Sequence, residues 1–178
     1  MASVDVSVSS DLEPEHAWAL ASNLDRFGER LTIFAGWKSV VPDDIEVGTR
    51  NLIDAARAGG ARRFVVQSIS FAYVPDSPTP HTEEMELVAP SLVSMERQVL
   101  ESPMHGVVLR YGKFYGPGTG FDAPAPGGAL HVDSAAYAAF LALTHGAPGV
   151  YNVAEDDGTV SSLKAVRELG WDPGFRLT

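Results

Sequence analysis

Few side chains in this sequence are spaced for chemistry, and each of those has a competing structural use. His131 and Asp133 stand two residues apart at the start of an alanine-rich run. Imidazole and carboxylate can together hold a metal, but no second histidine lies at ligand spacing, so the pair reads as the cap of a helix opening near Ser134. No metal site is expected. His81, beside Glu83 and Glu84 in a proline-rich stretch, reads as part of a solvated loop. Gly112, Gly116, Gly118 and Gly120 form a cluster of the kind whose amides can cradle a phosphate. This cluster follows a late strand and is interrupted by proline, so it reads as turn geometry. Ser68 and Ser70 come directly after an apolar run, where serine hydroxyls commonly end a strand, and Tyr73, Tyr111 and Phe114 read as core or loop aromatics. The chain has no cysteine, which excludes disulfides, thiolate metal sites and cysteine nucleophiles.

The elements that must position these residues change in texture along the chain. Val4, Val6 and Val8 alternate with polar residues, the period of a half-buried strand, and the stretch from Ser10 to Leu24 has the capping residues and apolar stripe of a helix. The aromatic-rich run Leu31 to Trp37 is left open between strand and helical turn. After Gly48 the units lengthen. Thr49 to Ala58 reads as a helix with Leu52, Ile53 and Ala56 inward, stopped by Gly59-Gly60. Phe64 to Gln67 and Val107 to Leu109 are continuous apolar runs of the buried parallel type, separated by a helix near Ser91 to Glu101. A helix at Ser134 to Thr144, a strand at Val150 to Val153 and a short helix at Leu163 to Leu169 complete the chain. Strand and helix in alternation predict an α/β fold, a partial Rossmann-like parallel sheet of three or four strands with flanking helices. The two textures divide the chain into residues 1–48 and 49–178.

Composition narrows the partners. The 178 residues are 45% hydrophobic and 20% charged, enough apolar material for a packed core. A formal charge of -10 repels phosphate backbones and anionic lipid, so no nucleic acid and no membrane partner is expected. The sequence has no basic segment followed by an apolar run at its start and no stretch near the ~20 apolar residues of a membrane span. The expectation is a cytoplasmic protein.

Several fragments, in order, carry a resemblance to a known family. Val47 to Arg57, then Arg63 to Tyr73 and Leu109 to Gly118, resemble the later strands and helices of extended short-chain dehydrogenases. His131-Val132-Asp133, Gly149-Val150-Tyr151-Asn152-Val153 and the tail from Lys164 to Pro173 continue the match. The chain from about residue 46 is thus similar to the C-terminal portion of the NAD-dependent epimerase/dehydratase family. The resemblance implies NAD or NADP as cofactor and a small-molecule substrate. It implies that Ser68 or Ser70 is the hydroxyl that hydrogen-bonds the reacting carbonyl, and that Tyr73, Tyr111 and Phe114 line the cofactor or substrate crevice.

The departures from the family matter equally. No G-x-G-x-x-G turn follows a strand, so the usual seat for a diphosphate is missing. The family's Tyr-x-x-x-Lys pair, whose ammonium lowers the phenol's pKa for proton transfer, falls on Val88 and Leu92 here. No other register restores it, because no tyrosine lies between Tyr73 and Tyr111 and no lysine between Lys38 and Lys113. Impaired or no catalysis by the lone chain is therefore expected, without the family's seat for the dinucleotide. Residues 1–48 weakly resemble the START-like polyketide cyclase/dehydrase superfamily, which implies a hydrophobic-ligand protein as the alternative and a hybrid chain joined near Gly48. A non-catalytic binding module is a third reading. A partial parallel sheet leaves an exposed edge, so a homo-oligomer through that edge is also expected.

Overall fold

The computed structural model describes residues 45–177, all of them in the compact unit Asp43–Thr178. The expected strand at Val4 to Val8, the helix after Ser10 and the START-like segment lie outside the described residues, apart from the first turn of the helix that follows. That helix, α1, spans Ile45–Ala58. It begins before the expected Thr49, so Gly48 lies inside it. Glu46 in its first turn and Arg57 in its last match the helix dipole. Ile53 is buried, whereas Leu52, expected to face inward, is 42% exposed, because the apolar stripe runs through Ile53 and Ala56. Gly60 ends the helix in the left-handed region with φ 74°.

The remaining elements follow the expected alternation. Strand β1 is Arg63–Ile69, helix α2 Pro90–Leu100, strand β2 His105–Tyr111, strand β3 Lys113–Tyr115, strand β4 Ala129–His131, helix α3 Val132–Ala142 and strand β5 Gly149–Val153. A π-helical turn, Ala165–Leu169, comes last and closes on Gly170. The main sheet has three strands in the order β1-β2-β5, all parallel, with Val65 opposite Val107 and Leu109 opposite Tyr151. Among the described residues β1 is paired on one side only. The stretch read from sequence as a glycine-proline loop also holds structure: β3 and β4 form a second, two-stranded parallel sheet.

Alternation along β2 divides the core into two layers. Val107, Leu109 and Tyr111 pack with Leu130, Ala138, Leu141, Tyr151, Leu169 and Trp171 under α3 and the π-helical turn. Val108 faces the other way, onto Ile53, Val99 and Met104 of the layer that holds α1 and α2. Gly106 is needed at the start of β2, because a Cβ there would overlap the carbonyl oxygen of Val99. At the opposite corner Arg63 donates to the carbonyl oxygens of Ala142 (3.1 Å), His145 (2.8 Å) and Gly146 (3.2 Å), placing a cation on the unpaired C-terminal end of α3.

A polar network lies inside the second layer. Arg110 donates through Nε to Glu96 Oε1 at 2.9 Å and through Nη2 to Oε2 at 2.7 Å, with both side chains almost wholly buried. Ser68 donates to the same Glu96 at 2.6 Å. Arg110 also reaches the Tyr73 hydroxyl and the Glu83 carbonyl oxygen, both at 3.1 Å, and Tyr73 donates to Asn152 Oδ1 at 2.6 Å. Burial opposes the charge on Arg110, but the hydrogen bonds to Glu96 and Tyr73 outweigh it and raise its pKa above the usual value. The network fastens the proline-rich segment after β1 across the sheet. His81 belongs to that segment and is not a solvated residue: its ring packs on Tyr73 at 4.7 Å, and its backbone pairs with Thr159 and Ser161.

Removing one partner of a buried ion pair leaves the other charge uncompensated. Arg110→Met is expected to lower the unfolding free energy by about 3–5 kcal/mol, with the double change Arg110→Met, Glu96→Leu costing less than that single change. Urea denaturation of the full chain measures both.

Candidate functional site

Open α/β sheets bind ligands beyond the carboxyl ends of their strands, and a cleft of about 440 Å³ lies there. Strand β1 supplies Gln67 and Ile69 from one face, with Phe71 just after its end. The β2 to β3 passage supplies Tyr111, Gly112, Lys113 and Phe114, and the loop beyond β3 supplies Thr119, Phe121, Ala123 and Ala125. The lining is mostly aliphatic and aromatic. Phe71 is 50% and Phe121 67% exposed, an unusual surface for two large apolar rings so close to one opening.

The polar groups around the cleft are few, and several are already engaged. Tyr111 donates its hydroxyl to the Ala135 carbonyl oxygen at 3.1 Å, and burial drives its pKa well above the ordinary phenol value. Its ring meets that of Phe114 at 5.5 Å. Thr119 donates to the Gly116 carbonyl oxygen at 2.8 Å. Lys113 donates to the Pro126 carbonyl oxygen at 2.9 Å and has two further N–H bonds. The far end of the loop is held by Asp157, whose Oδ2 accepts from the amides of Gly127 and Gly128 at 2.9 Å each, while Oδ1 accepts from Thr159.

The structure brings together some residues singled out in the sequence and separates others. Tyr111 and Phe114 line the cleft. Tyr73 lies in the Arg110 network, outside the cleft lining, and burial is the main reason its pKa is raised. Ser68 is spent on Glu96. Ser70 is 1% exposed, its amide donates to the Tyr111 carbonyl oxygen at 2.9 Å, and its hydroxyl has no partner. Val88 and Leu92 flank the start of α2, and neither lines the cleft. His131 caps α3, its Nδ1 accepting from the Asp133 amide at 3.2 Å, as the spacing predicted. Among the described residues no group of three or more histidine or acidic side chains could hold a metal. Gly116, Gly118 and Gly120 all have positive φ, consistent with turn geometry.

No described tyrosine with a displaced pKa is tuned toward proton release. Burial raises Tyr73, Tyr111 and Tyr115, and with Glu168 it pushes Tyr151 up to about 12. Lys164, 4.6 Å above the Tyr151 ring, donates to the Val150 carbonyl oxygen instead of serving a phenol. Sequence reasoning missed Gln67, Phe71, Lys113 and Phe121 as lining residues. The alternation of β1 carries Gln67 and Ile69 to one face and could have found the first; nothing local marks Phe121.

The comparisons with known proteins agree with this architecture. No family model matches the chain. A 3-diazoavenalumate denitrifying reductase from a Streptomyces species is 40% identical over 181 aligned positions, covering 74% of this chain and 60% of the reductase. The chain thus spans less than two thirds of that relative's length. RMD from Pseudomonas aeruginosa, solved in complex with NADPH, has a TM-score of 0.62 at 19% identity, covering 73% of this chain and 68% of that one. UDP-glucuronic acid 4-epimerase from Bacillus cereus, solved in complex with NAD, has a TM-score of 0.58 at 16% identity, covering 78% and 67%. The chain has the Rossmann-like fold of these NAD(P)-complexed enzymes. Among the described residues no helix is long and apolar enough to cross a membrane.

The hold of Asp157 on the loop has a pH signature. Backbone donation from Gly128 first, then from Thr159 and Gly127, brings its pKa from 3.8 to about 2. The folded state therefore favours the carboxylate, and its contribution is present above pH 3.8 and lost as pH falls toward 2. Asp157→Asn is expected to remove this part of the acid dependence. Unfolding measured by urea across that range checks it.

Proposed function

We propose that this chain is a small-ligand-binding protein of the NAD(P)-dependent reductase and epimerase/dehydratase class, in which the ligand end of the site is kept and the proton-transfer pair is not. The observation that carries this reading is the apolar cleft at the carboxyl ends of β1 and β2, with Val88 and Leu92 where the family resemblance requires tyrosine and lysine. The likeness to the Streptomyces reductase supports placing the chain in a class that includes reductases.

Among the described residues, those present fit only part of a dinucleotide. The flat apolar walls suit a ring, and Tyr111 and Phe114 are the residues proposed to face it. A diphosphate needs several free amides at a positive helix end. Helix α2 opens on Ala89-Pro90, where proline has no amide hydrogen to offer, and α3 opens with the Asp133 carboxylate in its first turn. Neither of these helix starts is a seat for an anion. Of the two serines proposed to meet a ligand, Ser70 has the uncommitted hydroxyl, while that of Ser68 is held by Glu96; neither lines the cleft.

Calorimetric titration of the full chain with NAD+, NADH, NADP+ and NADPH tests the reading. No saturable heat up to millimolar concentration is expected for any of the four. A micromolar dissociation constant for one of them, with turnover of a carbonyl substrate, would overturn it.

A further inference from the structure

We infer that the cleft takes a planar aromatic anion, its ring held between Phe71 and Phe121 and its negative group read by Lys113 and Gln67. This deepens the assignment of the cleft as the ligand site made above and rests on it. The argument begins with what the walls offer. Ile69, Phe71, Tyr111, Phe114, Phe121 and Ala125 present carbon surface, and a volume of about 440 Å³ suits a small ligand with one or two fused rings. Phe71 and Phe121 are half or more exposed, so a flat ring laid against them would remove apolar surface from water at both partners.

The polar inventory then limits the ligand. A sugar carries a hydroxyl on nearly every carbon, and burying each without a partner forfeits its hydrogen bond to water. Tyr111 and Thr119 have already spent their hydroxyl protons on the carbonyl oxygens of Ala135 and Gly116. Two groups remain. Gln67 makes no side-chain hydrogen bond with a described residue, and Lys113 keeps two N–H bonds beyond the one to Pro126. Lys113 is also the only charged side chain among the described residues that line the cleft. One ammonium and one amide suit a single carboxylate on an otherwise carbon-surfaced molecule. They do not suit a nucleoside diphosphate sugar, which brings two phosphates and many hydroxyls.

The test uses the full chain without cofactor, so its outcome is independent of the dinucleotide titration. Binding of 2-naphthoate, its uncharged relative 2-naphthol, cyclohexanecarboxylate and UDP-glucose is followed by calorimetry. Saturable binding of 2-naphthoate is expected, with cyclohexanecarboxylate and UDP-glucose at least about ten-fold weaker, equivalent to about 1.4 kcal/mol. Lys113→Met should weaken 2-naphthoate about ten-fold and leave 2-naphthol nearly unchanged, whereas Phe121→Ala should weaken both. Thermal melting confirms that each variant is folded, and Lys113→Gln replaces Lys113→Met if that variant is not. Absence of saturable 2-naphthoate binding, UDP-glucose binding as tight as 2-naphthoate, or indifference of 2-naphthoate to both Lys113 variants would each overturn the inference.

Discussion

A guanidinium buried in the middle of a parallel sheet is the constraint on which the described unit turns. Arg110 stands on the central strand, and its charge is tolerable there only because Glu96 meets it with both carboxylate oxygens. Each of the surrounding elements supplies something to that arrangement: α2 the carboxylate, β1 the Ser68 hydroxyl, and the proline-rich segment the Tyr73 hydroxyl and the Glu83 carbonyl oxygen. Asn152 on β5 extends it by accepting from Tyr73 and donating to His81 and Ser161. The edges of the sheet are thereby tied to its middle strand by directional bonds as well as by packing.

That arrangement occupies one face of the sheet; the other packs under α3, and the cleft opens only at its strand ends. Residues of β1 alternate between the two, Ser68 toward Glu96 and Gln67 with Ile69 toward the cleft. The same alternation explains why hydroxyls near a family's catalytic turn need not be catalytic. Ser68 is fixed by a carboxylate that also needs it, and its proton is not available to a carbonyl in the cleft. The chain thus has the fold of the NAD(P)-complexed enzymes it is similar to, while its own side chains offer an apolar, singly charged pocket and hold Tyr73, Tyr111, Tyr115 and Tyr151 away from ionisation.

The fold was legible in the sequence because its signals are local. Continuous apolar runs at Phe64 to Gln67 and Val107 to Leu109 mark buried parallel strands, and the alanine-rich stretch after His131 marks α3. The cap at His131 was readable from its spacing to Asp133. The small sheet of β3 and β4 was not, because three-residue strands inside a glycine-proline stretch have too few residues for a period to appear. The exposure of Leu52 and the clasp made by His81 also escaped, since both depend on which surface a neighbouring element presents. The cleft was half legible: Tyr111 and Phe114 could be placed at a strand end, but Phe121 joins them only through the path of a loop.

The three bonds from Arg63 to the last residue of α3 and the turn after it join residues 79 to 83 positions apart. Closing so long a stretch of chain costs entropy that one side chain cannot repay alone, so the clip belongs to a state in which the helix is already docked. A proteolytic nick between β1 and α3 would then be felt at both ends, because Arg63 of β1 holds the Ala142 carbonyl that ends α3 and those of His145 and Gly146 just beyond it.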